Sequence, residues 1–275
     1  MKKRKVILIT GGSSGIGYDA AQALARQGHC VYAAARRVER MEPLREEGVR
    51  PLRMDVTDEK AMQEAVDTIL REEGRIDVLI NNAGYGYFGA VESVSLEEAR
   101  KQLEVNLFGL ARLTQLVLPA MRAQGSGRII NTSSIAGKAV VLFGGWYNVS
   151  KFAVEALSDA LRMEVKPQGI DVIKIQPGAV RTDWGGIAAK HLAESTEGTP
   201  YQDEGQRFAH TMDWFFKTKL PCPPARIVRA ISRAVNSSHP RIRYRLGTFS
   251  KTGVFLHAIL PARWWDALNR LGGKL

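Results

Sequence analysis

Cysteine and long hydrophobic runs are both scarce in this sequence. Of its 275 residues two are cysteines, Cys30 and Cys222, and neither belongs to a Cys-x-x-Cys or Cys/His cluster. A metal site built from thiolates is thereby excluded, no metal ligands are predicted, and a reducing, cytoplasmic location fits best. No stretch approaches the roughly 20 apolar residues of a membrane-spanning helix, and the apolar run after the basic residues 1–5 is too short for a secretory signal.

The remaining composition is that of an ordinary globular protein. Hydrophobic residues make up 45% of the chain and charged residues 24%, which excludes the disordered, collagenous and disulfide-scaffold classes. A chain of this length can bury roughly three quarters of its unfolded surface. We therefore expect one domain over residues 1–275, with a core that needs neither a metal nor a disulfide.

Positive charge is distributed unevenly along the chain. The net charge is +11, and residues 217–275 hold 12 Lys and Arg against one acid, Asp266. Such a basic segment could face nucleic acid, an anionic membrane surface or an anionic substrate, or it could be a solvated face. Nucleic acid is the least favoured of these partners, because the aromatic residues of the segment match no base-stacking motif; they are Phe249, Phe255, Trp264 and Trp265.

Short apolar runs alternate with amphipathic segments up to about residue 182. Strands that alternate with helices of this length imply right-handed crossovers between parallel strands. The alternation therefore predicts an α/β fold, a Rossmann-type doubly wound parallel sheet with helices on both faces. Breakers then become frequent, and we interpret residues 183–224 as a substrate lid and 225–275 as a basic C-terminal extension. The predicted strands are 6–10, 29–34, 49–54, 78–81, 128–132 and 171–176, and the predicted helices are 18–27, 60–71, 96–121 and 150–166.

A glycine-rich turn joins the first predicted strand to the first predicted helix. Its sequence, Gly11-Gly-Ser-Ser-Gly-Ile-Gly17, lets the backbone turn sharply and approach a pyrophosphate, which the free amides of the following helix would bind. A tight strand-to-helix turn can also need glycine for sterics alone. The position directly after the first strand favours a dinucleotide site.

Six motifs follow one another in the order found in classical short-chain dehydrogenases/reductases. They are Thr10-Gly-Gly-Ser-Ser-Gly-Ile-Gly17, Asn81-Asn-Ala-Gly84, Asn106, Ser134, Tyr147-x-x-x-Lys151 and Pro177-Gly178. The sequence resembles that family over about residues 5–182, and its C-terminal part is similar in character to the hydroxysteroid and retinol dehydrogenase branch. The resemblance implies an NAD(P)-dependent oxidoreductase of alcohols and carbonyl compounds (EC 1.1.1.-), with a catalytic tetrad of Asn106, Ser134, Tyr147 and Lys151.

The chemistry of this tetrad centres on Tyr147. Tyr147 and Lys151 stand four residues apart at the entry to a predicted helix, so their side chains can share one side of it. A tyrosine hydroxyl titrates near ~10, and we expect the Lys151 ammonium and a positive nicotinamide to lower this pKa, so that Tyr147 can act as general acid and base. For this motif alone, a buried tyrosine beside a surface lysine is the alternative.

The resemblance also assigns roles to the other two members. Ser134 precedes Tyr147 by thirteen residues, the family's interval for the serine that binds the substrate oxygen, and strand alternation would turn the neighbouring Ser133 away. In the family the asparagine at Asn106 disturbs its helix and binds a water that relays protons to the lysine, which also holds the nicotinamide ribose. A pair of turn-forming serines and a tolerated helix asparagine are the alternatives.

The end of the second strand indicates which nicotinamide cofactor binds. The acid that selects NAD(H) in the family would stand at Ala35, and Arg36 and Arg37 follow. With no carboxylate to repel a phosphate and two guanidiniums to bind it, we predict NADP(H) rather than NAD(H); two solvated loop arginines are the alternative. The resemblance implies these cofactor-binding residues: Gly11, Ser13, Ser14, Gly15, Ile16, Gly17, Arg36, Arg37, Asp55, Val56, Asn82, Ala83, Gly84, Tyr147, Lys151, Pro177, Gly178, Val180 and Thr182.

Several of these positions have specific family roles. Asp55 matches the contact with the adenine amino group, although it could equally cap a helix. Val180 and Thr182 match positions that grip the carboxamide of nicotinamide, and Ala83-Gly84 match the wall beside the adenine ribose. Asn81 is expected to steady the sheet.

A lipophilic alcohol or carbonyl compound, such as a steroid, a retinoid or a lipid-like molecule, is the expected substrate. Trp184, Trp214, Phe215 and Phe216 could form an apolar wall over the nicotinamide. The alternatives are an acyl-dihydroxyacetone-phosphate-type reductase, a catalytically weak cofactor-sensing member and a sugar epimerase of the extended branch. Family membership implies a homodimer or homotetramer.

The C-terminal residues have the pattern of an amphipathic helix that starts at Pro261. Trp264, Trp265, Leu268 and Leu271 would lie on one side of it. Such a helix either packs on its own domain or on a second copy, or rests on an anionic membrane as a peripheral contact.

Overall fold

The computed structural model describes residues 4–271, and a seven-stranded sheet runs through the centre of that part of the chain. Its strands are β1 (Val6–Thr10), β2 (Cys30–Ala35), β3 (Val49–Arg53), β4 (Val78–Asn81), β5 (Gly127–Thr132), β6 (Ile170–Pro177) and β7 (Arg243–Leu246). The strand order is β3-β2-β1-β4-β5-β6-β7, and each neighbouring pair is parallel. The predicted doubly wound α/β fold is therefore confirmed.

Helices cover both faces of this sheet. They are α1 (Gly15–Arg26), α2 (Glu59–Glu73), α3 (Leu96–Leu103), α4 (Gly109–Ala123), α5 (Gly145–Val165), α6 (Trp184–Thr196), α7 (Gln202–Lys217), α8 (Pro224–Asn236), α9 (Thr252–Ile259) and α10 (Ala262–Leu271). Successive side chains of a strand alternate between faces. Accordingly Ile7 and Ile9 join the core under α1 and α8, while Leu8 joins the core under α2 and α4.

The order of strands reverses between β1 and β4. β1 pairs with β2 on one side and with β4 on the other, so the chain leaves these strands in opposite directions across the sheet. A crevice opens at the carboxyl ends of strands at such a switch point, which is where open α/β sheets bind ligands. The glycine-rich turn after β1 and residues 81–84 after β4 both lie at this edge.

The long helix predicted over residues 96–121 is interrupted at Asn106. Residues Glu104–Phe108 form a π-helical segment between α3 and α4. Single π turns inside helices commonly occur at functional sites, because they redirect one side chain. The expectation that Asn106 lies in a disturbed helix agrees with this geometry.

Two elements beyond residue 182 differ from what the sequence predicts. Gly185 and Gly186 have the pattern of breakers, but both lie inside α6. A Cβ at Gly185 would come within 2.1 Å of the Phe216 ring, so glycine here lets α7 pack closely on α6. The strand β7 is not predicted, because its residues Arg-Tyr-Arg-Leu lack an apolar run; it pairs with β6 at the edge of the sheet.

The C-terminal helix predicted from Pro261 is present as α10. Neither α9 nor α10 contains a buried residue. Trp265 turns toward the protein and donates a hydrogen bond from Nε1 to the Val140 carbonyl at 2.9 Å, whereas Trp264, Leu268 and Leu271 are exposed. Within residues 4–271, no helix is long and apolar enough to cross a membrane.

Candidate active site and cofactor site

Tyr147 lies in the first turn of α5, at the edge of the sheet where the strands end. It is buried, and its ring packs 5.3 Å from that of Trp184 and 5.6 Å from that of Phe88, measured between ring centroids. Trp184 begins α6 and in turn contacts Phe216 of α7. The hydroxyl therefore lies beside a cluster of packed aromatic rings, which we name the aromatic chamber.

The pKa of Tyr147 is shifted in the direction opposite to the one expected. Burial raises it to about 12, while a hydrogen bond with Ser134 lowers it. The Nζ atom of Lys151 is 5.8 Å from the centre of the Tyr147 ring. Loss of hydration around this fully buried hydroxyl outweighs the hydrogen bond with Ser134 in the protein by itself, and a lowering of the pKa by Lys151 together with a positive nicotinamide stays a prediction.

Lys151 follows one helical turn after Tyr147 and is also buried. Its Nζ atom donates to the Thr132 carbonyl, at the end of β5, at 3.1 Å. Burial lowers the pKa of Lys151 to about 8, and the nearby Glu155 carboxylate opposes that shift. The lysine therefore stays mostly protonated at neutral pH, with a smaller margin than a lysine in water.

Ser134 and its neighbour Ser133 face different partners, as strand alternation predicts. Ser134 bonds to Tyr147, and its Oγ atom also accepts from the Ala136 amide at 3.1 Å. Ser133 is buried on the side of Glu155. The sequence interval to Tyr147 thus selects the serine that the fold places beside the tyrosine.

Asn106 is held firmly by its side-chain amide. Its Oδ1 atom accepts from the Tyr85 amide at 3.0 Å, and its Nδ2 atom donates to the Tyr85 carbonyl at 2.9 Å and to Ser150 Oγ at 3.0 Å. A Cβ at Gly84 would lie 3.0 Å from Asn106 Oδ1 and 3.6 Å from Lys151 Nζ. The motif after β4, the π segment and α5 therefore meet at one point.

A buried ionic cluster behind Lys151 was not foreseen from the sequence. Lys174 on β6 is 1% exposed, and its Nζ atom lies 2.9 Å from Glu155 Oε2 and 2.7 Å from Asp159 Oδ2. Gln176 donates to Glu155 Oε1 at 2.8 Å. The signal in the sequence was a lysine between two isoleucines of a strand, since a buried lysine needs an acid as partner. The cluster fixes the charge of Glu155 one turn from Lys151.

The glycine-rich turn leaves a gap that side chains would fill. Gly11 and Gly15 have positive φ angles of 70° and 55°, which favour glycine. A Cβ at Gly17 would lie 2.3 Å from the Gly11 carbonyl oxygen. Ser14, the N-cap of α1, makes no side-chain capping bond within the described chain, so the first amides of α1 remain available to an anion.

The end of β4 is clamped against this turn. Thr10 Oγ1 accepts from the amides of Asn82 and Ala83, both at 3.0 Å, and Asn82 Nδ2 donates to the Thr10 carbonyl at 3.2 Å. Asn81 points into the protein and bonds to Thr114 and Asn131. The residues present thus fit a dinucleotide pyrophosphate at the turn, with Asn81 steadying the sheet below.

Arg36 and Arg37 are exposed directly after β2, whose last residue is Ala35. The Nε atom of Arg36 lies 4.0 Å from Asp55 Oδ2. Arg53, which was not singled out from the sequence, donates to the Arg36 carbonyl at 3.3 Å. Three guanidiniums therefore surround the end of β2, where the 2′-hydroxyl or 2′-phosphate of an adenine ribose would lie.

Asp55 and Val56 occupy the end of β3. Asp55 Oδ1 accepts from the Thr57 amide at 3.0 Å and from the Thr57 hydroxyl at 2.9 Å, which forms a local turn rather than a helix cap. The Val56 carbonyl lies where a Cβ on Gly109 would collide with it. α4 thus packs closely against this corner.

The loop after β6 brings its predicted residues to the same crevice. The Gly178 amide donates to the Leu246 carbonyl at 2.7 Å, Val180 forms a bridge with Cys222, and the Thr182 side chain lies 3.7 Å from the position of a Cβ at Gly15. Thr182 therefore reaches the glycine-rich turn. The predicted grip of Val180 and Thr182 on the nicotinamide carboxamide stays a prediction.

Comparison with known proteins agrees with this geometry. A family model described as short chain dehydrogenase matches residues 5–191. The 3-ketodihydrosphingosine reductase of Bacteroides thetaiotaomicron is 40% identical over 245 residues, which cover 88% of each chain. A probable short-chain type dehydrogenase/reductase, VdlC, of Helicobacter pylori is 36% identical over 264 residues, or 96% of each chain.

Solved structures show the same similarity over nearly the whole chain. A short-chain dehydrogenase from Streptomyces avermitilis superposes with a TM-score of 0.81 at 32% identity and covers 98% of both chains. An alcohol dehydrogenase from Thermococcus sibiricus, complexed with 5-hydroxy-NADP, gives a TM-score of 0.72 at 29% identity, over 90% of this chain and 97% of that one. The chain therefore belongs to the short-chain dehydrogenase/reductase family and is an NAD(P)-dependent oxidoreductase.

Proposed function

We propose that this protein interconverts a lipophilic alcohol and its ketone or aldehyde with NADP(H). The observation that carries the proposal is the Tyr147 hydroxyl, held by Ser134 and followed by Lys151, between the glycine-rich turn and an aromatic chamber. We assign the catalytic roles to Asn106, Ser134, Tyr147 and Lys151. Residues 1–275 would form one domain, in which residues 183–224 act as the lid of the chamber.

The cofactor would supply or accept a hydride at the carbon that bears the substrate oxygen. Tyr147 donates its hydroxyl proton to that oxygen in the direction of reduction, and Ser134 holds the oxygen by a hydrogen bond. Lys151 stands behind the tyrosine, where its ammonium stabilises the phenolate that remains. Asn106 fixes the backbone at Tyr85, and thereby the wall on which Gly84 and Lys151 meet.

Three features support NADP(H) over NAD(H). β2 ends at Ala35, so no carboxylate stands where it would bond both ribose hydroxyls. Arg36 and Arg37 are free of strong ion pairs among the described residues, since the nearest carboxylate contact of Arg36 is the one at 4.0 Å with Asp55. Solved relatives from Thermococcus sibiricus and from a metagenome are complexes with 5-hydroxy-NADP and NADP.

The chamber supports a lipophilic substrate. Apolar side chains from α5, α6 and α7 pack around Tyr147 in a core of their own, together with Phe88 and Phe143. Phe143 contacts Phe208 and Tyr201 of the α7 region at 5.8 and 6.5 Å between ring centroids. The name of the Bacteroides relative specifies a keto group on a sphingoid chain, in keeping with the hydroxysteroid- and retinoid-like character of the sequence.

A panel of carbonyl compounds tests this function. We expect NADPH oxidation with long-chain, steroid or retinoid ketones and slower oxidation with short polar ketones of equal reactivity. Tyr147→Phe serves as the control for background oxidation. Equal rates for polar and apolar ketones, or a preference for NADH, would contradict the proposal.

A further inference from the structure

The helices α9 and α10 lie on the outside of the substrate chamber and are attached to it by few contacts. Trp265 bonds to the Val140 carbonyl, and Asn269 Oδ1 accepts from the Leu142 amide at 3.4 Å, so α10 rests on the loop that leads to Phe143. Phe249, just before α9, stacks on Phe215 of α7 at 6.1 Å. The pair of helices therefore borders both the 140–143 loop and α7.

Many of the side chains that α9 and α10 expose are large and apolar. His257 contacts Trp265 between the two helices; since a helix turns about 100° per residue, positions two residues to either side of His257 point away from that contact. Those positions are Phe255 and Ile259, exposed by 62% and 57%. We name the C-terminal apolar surface as Phe255, Ile259, Trp264, Leu268 and Leu271, all of which are exposed.

Part of this surface forms a shallow groove, and further exposed apolar side chains lie outside the two helices. Leu260, Trp264, Leu268 and Leu271 line one depression together with Arg263. Beside it, Phe249 is 59% exposed, and Thr248 bonds to the carbonyl of Leu220, which is exposed as well. Contiguous apolar surface of this kind marks an interaction site on a soluble domain.

The charges around the surface are mostly positive; the acids near α10 are Asp266 and Glu204, which lies 3.9 Å from Arg270. Lys219 and Lys251 stand next to Leu220 and Phe249, and Arg263 lies in the groove. None of these three cations has an acidic partner within 4.0 Å in residues 4–271. Asp266 is the one acid of α9 and α10. A partner that binds here must present apolar groups beneath negative charge.

We propose that the C-terminal apolar surface docks on an anionic lipid bilayer. Aromatic and aliphatic side chains would enter the acyl boundary while lysine and arginine meet the head groups, as in interfacial amphipathic helices. A second copy of the chain fits less well, because a symmetric contact would bring two surfaces with the same excess of positive charge together, and like charges at an interface are unfavourable.

Docking in this way would also determine how the substrate reaches the site, an inference that rests on the function proposed above. The 140–143 loop and Phe215 lie between the surface and the aromatic chamber. The 140–143 loop and Phe215 would then face the bilayer, so that a lipophilic ketone could reach the aromatic chamber without crossing water.

Vesicle binding tests the proposal without any assay of activity. We would measure co-sedimentation of the full chain with phosphatidylcholine vesicles, with and without phosphatidylglycerol, at low and high salt. We expect binding to the anionic vesicles, release by salt, and at least about tenfold weaker binding for the double variant Phe255→Ser/Trp264→Ser. Met163→Ser, at a residue 65% exposed outside the surface, is the matched control and should bind like the wild type.

A second variant separates charge from apolar contact. Lys251→Glu/Arg263→Glu should bind anionic vesicles about as weakly as the apolar double variant, while its melting temperature stays that of the wild type. Absence of binding to anionic vesicles, or equal binding by all variants, would overturn the proposal. So would conversion of a dimer into a monomer by Phe255→Ser/Trp264→Ser with vesicle binding unchanged, because a second copy would then cover the surface. None of these readouts depends on the substrate, so the proposed function can fail separately.

Discussion

On the cofactor side of the site, backbone segments lie very close together, as where α1 meets the Gly11 carbonyl at Gly17 and where Thr10 Oγ1 accepts from the Asn82 amide. On the substrate side, aromatic side chains from α5, α6 and α7 fill the space instead. Backbone contact tolerates almost no change in side-chain size, whereas aromatic packing can be rebuilt with other residues. The candidate cofactor site is therefore formed by a few short motifs, whereas the candidate substrate side is formed by residues spread over several helices.

Tyr147 belongs to both sides, and its replacement should have the largest effect. Tyr147→Phe keeps the ring against Trp184 and Phe88 but removes the proton, so turnover should fall by about 10²–10⁴-fold or more. NADPH affinity should remain within a few-fold of the wild type, because the ring still fills its place. Steady-state rates and fluorescence titration with NADPH measure the two quantities. Turnover near that of the wild type would remove Tyr147 from the mechanism.

The cofactor side alone should respond to the arginines after β2. Arg36→Ala/Arg37→Ala should weaken NADPH binding by about 1.5–3 kcal/mol for each hydrogen bond to the 2′-phosphate that is removed, and leave NADH binding nearly unchanged. Arg71→Ala, at an exposed arginine in the last turn of α2, is the control for loss of an arginine away from this site. The dissociation constants of NADPH and NADH, measured for the wild type and both variants, test this prediction. Equal weakening for NADPH and NADH would show that these arginines do not read the 2′-phosphate.

Both variants change residues that the sequence identified, because the motifs that contain these residues are short and contiguous. The glycine-rich turn, the motif after β4 and the Tyr-x-x-x-Lys spacing each act through neighbouring residues, so their positions in the fold followed from the alternation of strands and helices. Ser134 was distinguished from Ser133 by its interval of thirteen residues to Tyr147. The first six strands were placed within one or two residues, because most of them contain a buried apolar run; β3 is an edge strand with two exposed arginines.

The features that escaped prediction depend on contacts between distant segments. α6 contains two glycines because Phe216 packs against it from α7, and that contact is invisible in either segment alone. β7 is a polar edge strand recognised only by its pairing with β6. The raised pKa of Tyr147 and the Lys174–Glu155–Asp159 cluster likewise follow from burial, which the local sequence does not report.

Burial of the charged Lys151 side chain lowers the free energy of unfolding of the protein. Its pKa is lowered to about 8 by burial, against about 10.4 in an unfolded chain. Below pH 8 the lysine is charged in both states, so burial opposes folding by up to about 3 kcal/mol; as pH rises from 8 to 10.4 the native state loses its proton first, and that penalty disappears.

Lys151→Met should therefore raise the free energy of unfolding at pH 7 and abolish most turnover. The gain in stability over the wild type should shrink between pH 8 and 10.4, as measured by urea unfolding at several pH values. Lys138→Met, at a partly exposed lysine paired with Glu155, is the control for loss of a charge. A stability difference that does not change with pH would mean that Lys151 is not desolvated as the structure shows.

The smallest effect should come from the contact that holds α10 to the substrate side. Trp265→Phe keeps an aromatic ring against His257 and removes the hydrogen bond from Nε1 to the Val140 carbonyl. An exposed bond of this kind contributes about 0.5–1.5 kcal/mol at most, so the melting temperature should drop by only a few degrees and NADPH affinity should not change. Because α10 borders the chamber through Val140 and Leu142, KM for a long-chain ketone should rise while kcat stays the same. A matching decrease in NADPH affinity would contradict the separation of the two sides, since a contact at the rim of the substrate chamber would then reach the glycine-rich turn.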